Sequence, residues 1–174
     1  MGPVPMAELP SDTGALRFRL EVVQRESPAP GPAPGGGAGS GRLLASASLG
    51  YLDRRDGEVW PVVHLPVLHL ATETVRALAA GLADLLAGAA PGFSWQSGPD
   101  GALGLQVGDP EQGAPGGALL VEVGLDLAPF LADAAGAPQR PGAELALFRF
   151  LATRPGVVAF ADALRREIEG QLQP

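Results

Sequence analysis

The chain has 174 residues, a length that suits one domain built around a single core. Its 12 basic and 19 acidic residues give a net charge of −7, which argues against nucleic-acid binding and against binding to an anionic membrane. Cysteine is absent, so disulfides, thiolate metal sites and a cysteine nucleophile are excluded. No apolar run reaches the ~20 residues of a membrane span and the N-terminus lacks a signal-peptide pattern, so we expect a cytoplasmic protein without a membrane partner.

Residues 1–14 are expected to be disordered, and residues 15–174 to form one domain. The first element is "ALRFRLEVV", which alternates apolar and charged residues and so predicts a half-buried strand. Its inward residues are Leu16, Phe18, Leu20 and Val22. A second strand, "LLASASLGYL", follows after an interruption.

That interruption is a Pro/Gly-rich segment at residues 27–41, "SPAPGPAPGGGAGSG". A phosphate-binding loop needs a Lys-Ser/Thr ending or a glycine motif that opens a helix. The segment has no lysine and precedes a strand. We therefore predict a flexible insert between two strands, with a docking peptide as the alternative.

The polar stretch "DRRDG" predicts a hairpin turn, and "EVWPVVHLPVLHL" is the strand that follows it. Pro61 and Pro66 cannot donate to a strand ladder, so this strand is expected at a sheet edge or bent at the prolines. From Thr72 to Ala87 apolar residues recur every three or four positions, which predicts a helix with Thr72 as its N-cap.

A second hairpin is predicted from "FSWQS" and "ALGLQVG", with Trp95 in the core. The alternating strand "ALLVEVGLDLA" follows it. The run "AELALFRFLA" is apolar on both faces, which suits a central strand or one covered by a helix. The last element is a helix from Thr153 to Leu172, with Glu167 among the residues expected to face water.

This order of elements predicts an α+β fold: a mostly antiparallel sheet of about six or seven strands with two α-helices packed on one face. The open face of the sheet should then be polar. The charged residues expected on it or at its edges are Arg17, Arg19, Glu21, Glu122, Asp126, Glu144 and Arg149.

Catalytic and metal-binding patterns are weak in this sequence. His64 and His69 are the only histidines, and five residues apart on one strand they are expected on opposite faces, unless a bend at Pro66 reorients them. No GxSxG sequence presents a serine nucleophile, and no spacing brings two carboxylates together. We expect no catalysis, no metal and no cofactor.

The turn before Trp60 concentrates charge next to an aromatic residue. Arginine and tryptophan are frequent anchors of protein interfaces, so we predict a partner-binding surface here. Its residues are Asp53, Arg54, Arg55, Asp56, Glu58 and Trp60. The alternative is a solvated turn with Trp60 buried in the core.

The strings "LGYLDRRDGEVWPVVHLPV", "LATETVRALAAGLADLL", "FSWQSGPDGALGLQV" and "LLVEVGLDLAP" resemble the WapI-type bacterial immunity proteins and related small bacterial families. The Pro/Gly-rich insert and the proline after Trp60 depart from that pattern. The resemblance implies that the chain binds and neutralises a toxin by occlusion. The acidic charge suits a basic toxin domain as the protein partner.

Two other function classes stay open. A structural or assembly protein would form homo-oligomers through the proline-bearing edge strand. An enzyme would be indicated by a deep pocket that holds clustered ionisable groups.

Overall fold

The computed structural model describes residues 6–25, 41–98, 102–110, 117–126 and 145–172. These residues form eight strands and two helices. The strands are β1 (Ala7–Pro10), β2 (Leu16–Arg25), β3 (Arg42–Leu52), β4 (Val59–Ala71), β5 (Gly92–Gln96), β6 (Leu103–Gly108), β7 (Leu119–Asp126) and β8 (Leu145–Ala152). The helices are α1 (Thr72–Leu86) and α2 (Arg154–Leu172).

The strands form two four-stranded sheets, which we call sheet A (order β1-β2-β3-β4) and sheet B (order β5-β6-β7-β8). Every neighbouring pair is antiparallel. The α+β class and antiparallel pairing are therefore confirmed, whereas the prediction of one sheet with six or seven strands is wrong. Helix α1 separates β4 from β5 in sequence, and the strands after it pair among themselves.

The inner faces of both sheets and the two helices contribute to one hydrophobic cluster. Helix α2 packs on β1 and β2, where the Phe18 and Phe160 rings lie 5.9 Å apart. Helix α1 contacts α2, β4 and β5, and its residue Thr74 accepts a hydrogen bond from the indole Nε1 of Trp95 at 2.7 Å. Trp95 is buried, as predicted.

The prediction that residues 1–14 are disordered is wrong for part of that range. Residues Ala7–Pro10 form β1, an edge strand of sheet A that pairs with β2 from Ala7↔Leu20 to Pro10↔Arg17. Ala7 and Leu9 are fully buried. Four residues are too few for the alternation to be recognised in the sequence. Residues 1–5 lie outside the described residues, as does most of the predicted insert at 27–41.

Three predicted positions along the later chain also need correction. Thr72 is the first helical residue and not the N-cap, and its hydroxyl donates to the Gly41 carbonyl at 2.6 Å. Strand β8 is the last strand of sheet B and not a central one, which leaves Leu145 and Leu147 more than half exposed. Asp126 is buried, although an exposed position was expected. Glu144 lies outside the described residues.

The largest departure concerns Glu167 on α2, which is 5% exposed although it was expected to face water. Its Oε1 accepts a hydrogen bond from the Ala7 amide at 2.8 Å and its Oε2 accepts one from the Val22 amide at 3.0 Å. One carboxylate thus joins α2 to both β1 and β2.

No helix within the described ranges is both long and apolar enough to cross a membrane.

Candidate functional site

The turn between β3 and β4, together with the first residues of β4, forms what we call the hairpin tip, residues 53–60. Its backbone is closed by bonds from the Asp53 amide to the Glu58 carbonyl and from the Gly57 amide to the Asp53 carbonyl, both at 2.8 Å. Gly57 has φ of 76°, a left-handed conformation that glycine adopts without a steric penalty. The predicted Asp-Gly turn is therefore present.

Two of the predicted contact residues shape the turn. The Asp53 Oδ1 accepts from the Arg55 amide and the Asp56 Oδ1 accepts from the Glu58 amide, both at 2.9 Å. Aspartate favours turns for this reason. Arg54 is also engaged, since its guanidinium donates to the Thr13 carbonyl in the β1–β2 loop. These bonds fix the tip against sheet A.

Five of the six predicted residues are exposed to solvent, and Asp53 is half-buried. Within the described ranges, the side chains of Arg55 and Glu58 form no hydrogen bond or ion pair. Trp60 is 58% exposed, so the alternative in which it is buried in the core is excluded. The Trp60 indole is presented to solvent at the start of β4.

Tyr51 belongs to the same surface as Trp60, although it was not among the predicted residues. It is the register partner of Trp60 and is 48% exposed. Val59 precedes Trp60 on β4, so its side chain points to the opposite face of the sheet. Since directly opposite residues lie on the same face of a sheet, Tyr51 and Trp60 form a cross-strand aromatic pair. A two-residue Asp56-Gly57 turn would place Asp53 opposite Trp60, whereas the observed loop has two more residues, so the sequence alone does not place Tyr51 there.

The histidine prediction needs a correction with a structural cause. Between Leu65 and Leu68, next to Pro66, β4 contains one more residue than the segment of β3 with which it pairs, which is a β-bulge. His64 therefore pairs with Ser48 and His69 with Leu44, and both imidazoles lie on the same face. Four residues of β3 separate the two pairs, a distance of about 13 Å, so the histidines cannot share an ion.

Metal-ligand clusters of three or more His, Asp or Glu residues are not found in the described part of the chain. Burial raises the pKa of the Glu167 carboxyl, the hydrogen bonds from the Val22 and Ala7 amides lower it, and the nearby charge of Glu21 raises it further. This carboxyl lies in the interior and away from the hairpin tip.

The outer faces of the two sheets carry open furrows. The furrow on sheet A has a volume of about 390 Å³ and contains Glu8, Arg17, Arg19, Glu21 and His64. The furrow on sheet B, about 780 Å³, is lined by residues that include Phe93, Gln106, Glu122 and Arg149. In the latter, Arg149 donates from Nε to Glu122 on the neighbouring strand. Polar residues line both furrows, but the outer face of sheet B also carries the exposed Leu145 and Leu147, so the single polar face predicted from the sequence is only partly present.

No protein-family model and no curated protein sequence matches the chain. Among solved structures, the chain is similar to that of the plant transcriptional regulator PBF-2, with a TM-score of 0.49 and 8% sequence identity. The match covers 95% of this chain and 88% of the other. At this level of similarity, it carries no conclusion about function.

Proposed function

We propose that the chain is a non-catalytic protein-binding module whose contact surface is the hairpin tip. The observation that carries the proposal is the exposed aromatic pair, with Trp60 58% and Tyr51 48% accessible at the end of a hairpin. Tryptophan, tyrosine and arginine dominate the binding energy of protein interfaces. The internal hydrogen bonds of the turn hold this surface in one conformation, which lowers the entropy cost of binding.

The proposed partner is a basic toxin domain, which the chain would neutralise by occlusion. Support comes from the resemblance to WapI-type immunity proteins and from the net charge of −7, which would speed the capture of a cationic partner. Arg55 and Glu58 flank the aromatic pair and would contribute at the polar rim of the interface.

Affinity capture from the native host tests the proposal with three forms of the chain: wild type, Trp60→Ala and Val158→Ala. Val158 is an exposed apolar residue on α2, 42% accessible, and serves as the control. A hot-spot tryptophan contributes about 2 kcal/mol or more, so the partner should bind Trp60→Ala about 30-fold more weakly. Val158→Ala should bind like the wild type. Equal capture by all three forms, or no partner, would refute the proposal.

A second candidate is a homo-oligomer formed through the edge strand β4. It is favoured by the exposure of Val62 and Val67, at 51% and 49%, on the last strand of sheet A. Light scattering of the purified chain separates the two candidates. A monomer at micromolar concentration would exclude the oligomer.

A further inference from the structure

One edge of sheet B is formed by β8, the last strand of that sheet. The Asp126 amide donates to the Ala102 carbonyl on the β6 side at 2.9 Å, so the backbone groups of Asp126 point away from β8. In an antiparallel pair, two opposite residues exchange either both of their backbone hydrogen bonds or neither. Leu145, which lies opposite Asp126, therefore turns its amide and carbonyl towards the outer edge.

The same orientation recurs at every second residue of β8. The backbone groups of Leu147, Arg149 and Leu151 consequently face the outer edge as well. An independent contact agrees, since the Asp12 amide in the β1–β2 loop donates to the Leu151 carbonyl at 2.7 Å. Within the described parts of the chain, the outward amides and carbonyls of Leu145, Leu147 and Arg149 have no hydrogen-bond partner.

The side chains beside these outward groups are mostly apolar. Leu145 and Leu147 are 58% and 52% exposed, and both lie on the outer face of sheet B together with Arg149. Arg149 forms an ion pair with Glu122 on β7, so its charge is compensated within one copy of the chain. Exposed edge strands are commonly protected from pairing by proline or lysine, and the sequence of β8 contains neither.

The two edges of sheet A differ from β8 in this respect. At β1, the Ala7 amide donates to Glu167 on α2. At β4, Pro61 and Pro66 have no amide hydrogen and cannot donate to an added strand. Strand β8 is therefore better suited to pair with a further strand than either edge of sheet A.

The pattern along β8 matches a second copy of the same edge. The outward residues are placed symmetrically about Leu147, so a two-fold axis there pairs Leu147 with its own copy and Leu145 with Arg149. This register gives partners to the outward backbone groups of all three residues and brings the leucines of both copies together. A register centred on Arg149 would oppose like charges and would require the Leu151 carbonyl, which already accepts from Asp12.

We propose that the chain forms a two-fold symmetric dimer through β8, which joins the two copies of sheet B into one continuous antiparallel sheet. Burial of Leu145 and Leu147 from both copies supplies the apolar contact. The paired edge is short, so the expected dissociation constant is about 10–100 μM. The dimer does not depend on the hairpin tip, and it uses a different strand from the β4 oligomer.

Sedimentation equilibrium of the full chain, up to a concentration of about 500 μM, tests for the dimer. The wild type should show a reversible equilibrium between monomer and dimer. Leu147→Lys should raise the dissociation constant at least tenfold, because it places two ammonium groups opposite each other at the two-fold axis. Val62→Lys, at a position 51% exposed on β4, is the matched control and should dimerise like the wild type.

Single-cysteine variants test the register, since the wild-type chain contains no cysteine. Opposite residues of a hydrogen-bonded antiparallel pair have Cα atoms about 5.5 Å apart, which is within the range of a disulfide. With oxidised glutathione, Leu147→Cys should form a covalent dimer at least tenfold faster than Leu145→Cys. The two copies of residue 145 would be offset by four residues, or about 13 Å, along the paired strands.

Three results would overturn the proposal. The first is a wild type that stays monomeric throughout, as expected if residues 127–144, which connect β7 to β8, occupy the edge instead. The second is a dimer that is lost in Val62→Lys and retained in Leu147→Lys, which would assign the contact to β4. The third is equal cross-linking of Leu147→Cys and Leu145→Cys, which would exclude the register centred on Leu147.

Discussion

Glu167 shows how one side chain joins elements that are far apart in sequence. It is separated from Ala7 by 160 residues and from Val22 by 145, yet its two oxygens each accept one of their amides. Burying a carboxylate is costly, and the two backbone donors offset part of that cost, although burial still raises the pKa of Glu167. The edge strand β1 therefore depends on α2 as well as on β2.

Replacement of Glu167 by glutamine should destabilise the fold. The glutamine side chain keeps one acceptor and turns an amino group towards the other backbone donor, so one buried amide loses its partner. The expected loss is about 1–3 kcal/mol in the free energy of unfolding, measured with urea at neutral pH. Glu169→Gln, on the exposed side of α2, is the control and should be neutral. A Glu167→Gln variant with the wild-type free energy of unfolding would show that these two hydrogen bonds do not stabilise the fold.

The stability of the wild type should also depend on pH through this group. Burial raises the pKa of Glu167 above its usual value of 4.5, which means that the folded state binds the proton more readily than the unfolded state. The associated stabilisation is complete below pH 4.5 and is lost as the pH rises through the folded-state pKa.

Unfolding measured from pH 4 to pH 8 tests this direction. Relative to Glu167→Gln, which does not titrate, the wild type should gain stability as the pH falls through that window. If the wild type instead loses stability relative to the variant as the pH falls, the surroundings of Glu167 favour the ionised carboxylate.

At the scale of elements, the contact between α1 and β5 depends on a glycine. A Cβ at Gly81 would lie 1.8 Å from Cε2 of Phe93, so the Phe93 ring packs directly against the helix backbone. Gly170 near the end of α2 offers a matched comparison, because a Cβ there would meet no atom within 4 Å. Both glycines are helical, and they differ in what surrounds them.

Substitution of each glycine by alanine should therefore have opposite effects. Alanine favours a helix over glycine by about 1 kcal/mol, so Gly170→Ala should raise the melting temperature slightly. Gly81→Ala has the same helix preference but forces Phe93 out of its position, so the free energy of unfolding should fall by about 1–2 kcal/mol. Thermal unfolding of the two variants measures the difference. Stabilisation by Gly81→Ala would mean that α1 and β5 are not in close contact.

Elements in which apolar residues recur at a regular spacing over many positions could be predicted from the sequence. The α1 stripe and the alternation in β2 and β7 correspond to buried residues, because burial of one face imposes the period. The number of sheets could not be predicted, since pairing between strands depends on contacts remote in sequence. Strand β8 reads as apolar on both faces but lies at an edge, where Leu145 and Leu147 remain exposed.

The same distinction applies to the candidate sites. The hairpin tip could be predicted because its turn residues and Trp60 are close together in sequence. The furrow on sheet A could not, because its lining residues come from four strands whose register depends on contacts remote in sequence. The extra residue of β4 near Pro66 also placed His69 on the face of His64, and the residue spacing alone indicates the opposite.

At the scale of the whole molecule, the aromatic pair of the hairpin tip and the two furrows are formed by different residues around one core. The hydrophobic cluster draws residues from both sheets and both helices, so a change at the tip should leave the rest of the fold intact. We therefore expect Trp60 variants to unfold at the wild-type temperature. A loss of stability in Trp60→Ala would assign this residue a structural role in place of a contact.

The most direct test of the hairpin tip as the contact surface is fluorine NMR of the chain labelled with 5-fluorotryptophan. The chain has two tryptophans, exposed Trp60 and buried Trp95, and an unlabelled partner contributes no signal. Trp60→Phe assigns the two resonances. Addition of the captured partner should shift the Trp60 resonance as the indole leaves water, while the Trp95 resonance stays in place. A partner that binds with the Trp60 resonance unchanged would contradict the account.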